Sequence, residues 1–174
     1  MLQKTLLLLG LSSILASTAW ASSQTQSQSV TIHVPSALSL AASQDQIQLA
    51  FPENQPGAET NTMTVTYSVK SNSMSQADGA SAVLAQLDAV FPGMDLKASV
   101  GTYAKRSGNT ELAPVNSGFV SIQNSQTALL AKQHSSGDGH LLYGNFPVTY
   151  KAVARQSLMA GDYARQLILT LTDV

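Results

Sequence analysis

The sequence predicts an all-β protein, an antiparallel β-sandwich of about seven to eight short strands, and three observations carry that expectation. Apolar and polar residues alternate with period two along several stretches, most clearly where Met63, Val65, Tyr67 and Val69 interleave with Thr62, Thr64, Thr66 and Ser68. Clusters of Gly, Pro, Asn and Ser separate these stretches at spacings of about 10 to 15 residues, the punctuation of turns between strands. Apart from residues 80–91, no segment has a helical stripe; there Val83, Leu84, Leu87, Val90 and Phe91 fit either a helix face or a buried strand, and a strand with one helical turn is expected.

In chain order, Lys4 precedes an apolar run from Leu6 to Ala16, which ends before Ala19-Trp20-Ala21. A cationic start, an apolar core and an A-x-A site describe a secretory signal peptide over residues 1–21, and the run falls short of the roughly 20 residues a spanning helix needs. An exported chain with no stable membrane insertion after cleavage is therefore expected. Residues 22–40 form an N-terminal extension: a polar run, then SVTIHVPSALSL over residues 29–40. In that stretch Val30, Ile32, Val34, Leu38 and Leu40 share one parity and make an apolar comb, read as one strand. Residues 41–174 are the sandwich domain, long enough to bury its own core.

Within the domain, Ile47, Leu49 and Phe51 alternate as a short strand ended by Pro52 and the Asn54-Gln55-Pro56-Gly57 turn. Residues 60–70 are the clearest strand, and residues 96–103 another in which Leu96, Ala98 and Val100 alternate. Residues 105–118, containing Ser107-Gly108-Asn109 and Pro114, read as turn-rich. Residues 119–123 and 128–132 form a hairpin about Asn124-Ser125, and residues 134–139 a loop tip. Residues 141–154 make a long strand in which Pro147, unable to donate to a ladder, predicts an edge or a bulge. After the Ala160-Gly161-Asp162-Tyr163 turn, residues 166–173 close the chain as a strand with Leu167, Leu169 and Leu171 on one face.

Composition narrows the function. Without Lys4, eight basic residues face ten acidic ones for a net charge of −2, with neither sign clustered, which argues against nucleic acid as a partner. The chain has no cysteine, so neither a disulfide scaffold nor thiol chemistry applies. His134, Asp138 and His140 have a spacing that two imidazoles and a carboxylate could use around a metal, yet they sit in a loop composition where nothing orders them, so a solvated loop and no cofactor are expected. Gly-x-Ser-x-Gly is missing, and the acids Glu53, Glu59, Asp78, Asp88, Asp95 and Glu111 lie in or near turns rather than in a paired arrangement, so no enzyme is expected. Tyr103, Tyr143, Tyr150 and Tyr163 could stack against a sugar, but Tyr150 has the inward parity of its strand and Tyr163 follows its turn like an anchored corner tyrosine.

The alternating extension directly after the leader, the sandwich body and the Gly161-Asp162-Tyr163 turn followed by LILTLT resemble the subunits of chaperone–usher fimbriae. The closest types are the alpha, or colonisation-factor, pilins and the archaic pilins related to the spore coat U domain. The resemblance implies an immunoglobulin-like sandwich lacking its last strand, completed by the extension of a neighbouring subunit. Val30, Ile32, Val34, Leu38 and Leu40 would then be the donor teeth, and Leu167, Leu169 and Leu171 the strand bordering the acceptor groove. It also implies other copies or related pilins as partners, a periplasmic chaperone and an outer-membrane usher, and a place on the cell surface in adhesion or biofilm formation. The alternative reading is a monomeric secreted or periplasmic binding module for carbohydrate or protein, with the comb as an ordinary first strand.

Overall fold

A computed structural model describes residues 26–74, 77–134 and 141–172. Two compact units are distinguished, Met1–His33 and Val34–Val174. In the first, residues 26–33 have no regular secondary structure, and Val30 and Ile32 are exposed. The second is all-β, built of two antiparallel sheets.

The strands are β1 (Leu38–Ala42), β2 (Met63–Ser71), β3 (Ser81–Leu87), β4 (Met94–Val100), β5 (Ala104–Gly108), β6 (Thr110–Pro114), β7 (Val120–Ile122), β8 (Thr127–His134), β9 (Leu142–Ala154) and β10 (Leu167–Leu171). One sheet has the order β1-β2-β9-β4-β7 with β5 also on β9; the other is β10-β3-β8-β6. Period-two patterning explains the burial: Val65, Tyr67 and Val69 of β2 point inward opposite Val148, Phe146 and Gly144 of β9, and the Tyr67 and Phe146 rings stack at 5.4 Å. Facing them, Val83, Ala85 and Leu87 of β3 and Leu129 and Leu130 of β8 complete the core.

Six expectations need correction. The strand count is ten among the described residues, because the supposedly turn-rich stretch 105–118 holds β5 and β6. The chain switches sheets there: β5 pairs with β9 and β6 with β8, about a turn at Gly108, whose φ of +99° and closeness to the Leu141 carbonyl leave no room for a Cβ. The hairpin at Asn124-Ser125 is likewise a crossover, for β7 joins β4 while β8 joins β3 and β6; the Gln123 carbonyl accepts from Leu87 N at 2.7 Å and leads the chain to the other sheet.

Pro147 lies neither on an edge strand nor in a bulge but inside β9, the central strand of its sheet. Its carbonyl accepts from Gly101 N at 2.9 Å, so its nitrogen faces the break between β4 and β5, where no ladder partner needs a donor. Residues 47–51 are extended, with Ile47, Leu49 and Phe51 half-buried, yet form no strand. The Ala50 and Gln48 amides donate to the side chains of Asn61 and Met63 instead of to a backbone ladder. Finally, residues 29–40 are not one strand: only Leu38 and Leu40 enter β1, opposite Ser71 and Val69 of β2. The ambiguous stretch 80–91 is strand β3 without a helical turn.

Candidate functional site: an open groove between the sheets

The edges of the two sheets part between residues 44–54 on one side and residues 158–167 on the other, leaving a groove of about 1980 Å³. That is about twice the upper size of ordinary small-molecule pockets, and the groove is open to solvent along its length. One wall carries Leu40, Ile47, Leu49 and Phe51, the floor Tyr67 and Leu96, and the far wall Leu167 and Leu169. Of these, Leu40, Ile47, Leu49, Leu167 and Leu169 pack against the core to which Tyr67 and Leu96 belong.

β10 forms the decisive wall. Among the described residues it pairs with β3 alone, and the direction of its backbone groups follows from two bonds: the Gln166 carbonyl accepts from Asp88 N at 3.0 Å, and Thr172 N donates to the Ala82 carbonyl at 2.8 Å. Even-numbered residues therefore face β3, and strand alternation turns the N–H and C=O groups of Leu167, Leu169 and Leu171 toward the open edge. Such a row is a template for an added strand. Leu171 is buried, while Leu167 and Leu169 are half-buried and line the groove.

Local chemistry holds this edge in place. Tyr163 Oη donates to the Met159 carbonyl at 2.9 Å, closing the rim loop. The Asp88 carboxylate accepts from Gln166 N at 3.0 Å, and the Arg165 guanidinium lies 5.9 Å from the Phe91 ring centre. On the floor the Tyr67 and Tyr150 hydroxyls share a 2.9 Å hydrogen bond. Burial raises the Tyr150 phenol far above its ordinary range, with smaller contributions from the Tyr67 charge and hydrogen bond. Tyr67 is also raised by burial, offset in part by the bond to Tyr150.

The structure distributes the sequence candidates differently from one another. Val30, Ile32 and Val34 are strongly exposed, at 80%, 81% and 72%. Leu38 and Leu40 belong to the domain's own first strand, so three of the five comb teeth stand free of a ladder. His134 is not a solvated loop residue: it ends β8, and its Nδ1 lies 2.7 Å from the Asp78 carboxylate, which also accepts from His134 N at 2.7 Å. These bonds hold the Asp78 carboxyl below its ordinary range, the side-chain bond contributing most. Asp138 and His140 lie outside the described residues, among which no group of three potential metal ligands occurs.

Of the remaining acids, Glu59 pairs with Lys151 at 2.7 Å, Glu111 with Lys105 at 2.8 Å and Asp95 with Arg155 at 3.3 Å. The tyrosines also separate: Tyr150 is inside the core, whereas Tyr143 is partly exposed beneath the Arg106 guanidinium at 5.8 Å. What sequence reasoning missed is the wall at residues 47–51. Its alternation was visible, but not that its amides bond to side chains rather than joining a strand ladder. Comparison with protein-family models, curated proteins and solved structures returns no match.

Proposed function

We propose that this chain is a structural subunit of a secreted surface polymer, an immunoglobulin-like sandwich short of one strand that takes up the N-terminal extension of another copy. The observation that carries the reading is the outward-facing backbone row of Leu167, Leu169 and Leu171 beside an open groove whose walls carry apolar side chains among polar ones. Strand addition needs two things, free ladder groups and pockets for alternate side chains, and the groove offers both. Val30, Ile32 and Val34 supply matching teeth two residues apart, exposed on their own subunit. Burying three such side chains contributes roughly 1.5 to 3 kcal/mol each. Export by the leader at residues 1–21, escort by a periplasmic chaperone and an outer-membrane usher, and a non-enzymatic role in adhesion or biofilm formation complete the proposal.

A fusion tests it. A second copy of residues 29–34, joined after Val174 by a flexible linker, fills the groove from within when native residues 29–34 are deleted and β1 is left in place. The expected result is a soluble monomer with a raised melting temperature, beside an exported parent chain that forms ladders on size exclusion. A parent chain that stays monomeric, and a fusion no more stable than the parent, would support the binding-module reading instead.

A further inference from the structure

Between the exposed teeth and β1 lie Pro35, Ser36 and Ala37, and one side chain holds them. The Asn72 carboxamide oxygen accepts from Ala37 N at 2.6 Å, its Nδ2 donates to the Pro35 carbonyl at 2.9 Å, and its backbone N donates to the Ala37 carbonyl at 3.2 Å. Asn72 follows directly on Ser71, the last β2 residue to pair with β1. The amide thus mimics one further rung of the ladder, its acceptor and its donor standing on two separate atoms as they do in a peptide group. Proline at 35 removes a further backbone freedom by fixing φ near −65°.

We infer that Asn72 is a positioning residue that roots the N-terminal extension, so that free chain begins at Val34, the last tooth outside a ladder. This rests on the strand-donation reading and adds to it a property of the polymer: the joint between subunits has almost no slack. Releasing Pro35, Ser36 and Ala37 frees three residues, which lengthens the tether by about 10 Å and lets neighbouring subunits swing. The three bonds lie at an otherwise unremarkable end of β2, and a joint that needs to be stiff gives them a reason.

The test is made on the exported chain and on its polymers. Backbone relaxation by NMR is expected to show rigid amides at Ser36 and Ala37, with order parameters near 0.85, falling below about 0.6 N-terminal to Val34. In Asn72→Ala the loss of order is expected to extend through Ala37, with the melting temperature of the domain nearly unchanged. Asn72→Asp keeps the acceptor for Ala37 N but loses the donor to Pro35, and should fall between the two. In micrographs, Asn72→Ala polymers should bend more, with at least a twofold shorter persistence length. Unchanged order at Ser36 and Ala37 overturns the rooting, and unchanged polymer stiffness overturns its role in the joint. A parent chain rigid through Val30 that never polymerises overturns the strand-donation reading, and with it the joint, while the order at Ala37 still tells whether Asn72 holds the root.

Discussion

Ile32→Ala separates donation to another copy from use within the same domain. Ile32 is 81% exposed, so on its own subunit the truncation removes no packing and should change stability by less than about 0.5 kcal/mol. Docked beside β10 of another copy, the side chain would be buried in the groove that β10 borders. Truncating Ile to Ala in a packed core costs about 2 to 5 kcal/mol, and a groove open on one side belongs at the low end, about 2 kcal/mol. That magnitude corresponds to roughly 30-fold weaker assembly. The assay is size exclusion with light scattering over a concentration series, paired with urea unfolding of the monomer. A monomer destabilised by about 2 kcal/mol, a drop of about 4 to 8 °C in a domain this size, would mean that Ile32 packs on its own domain. Assembly unaffected by the substitution would equally refute the reasoning.

Tyr103→Phe should be neutral or stabilising by about 1 kcal/mol in denaturant unfolding, because the buried Tyr103 hydroxyl has no hydrogen-bond partner among the described residues. Stability should decline as pH rises above about 10, where unfolded tyrosines ionise. In the folded state burial, with a smaller contribution from Glu111, pushes Tyr103 up to about 12, and burial raises Tyr150 further. The native state therefore binds more protons in that window, so ΔG of unfolding falls with pH; melting temperatures from pH 8 to 12 check this, and Tyr150→Phe should flatten the slope. At the acid end, the lowered Asp78 carboxyl contributes stability that is present above its unfolded value and lost as pH falls through the folded one. Asp78→Asn should accordingly weaken the acid dependence of the melting temperature below about pH 4, and an identical profile would show that the bond to His134 contributes nothing.

The alternation of single residues was enough to settle class and most strands: Met63 to Val69 could be nothing but a half-buried strand, and Leu167, Leu169 and Leu171 had to share a face, because a pleated backbone has period two whatever surrounds it. The inward parity of Tyr150 and the anchored Tyr163 were readable for the same local reason, the latter borne out by its bond to the Met159 carbonyl. Tertiary structure alone decided which strands are neighbours. Parity does not say whether β7 pairs with β8 or with β4, nor that Pro147 can sit in a central strand where its neighbours break. It also could not divide the comb, since Leu38 and Val34 have the same pattern and only the ladder to β2, with Asn72 at its end, distinguishes a paired strand from a free one. The groove is the extreme case. It exists because the Gln48 and Ala50 amides bond to Met63 and Asn61 side chains and β10 has one strand partner among the described residues, and an unfilled neighbour position leaves no mark on the pattern of the residues beside it.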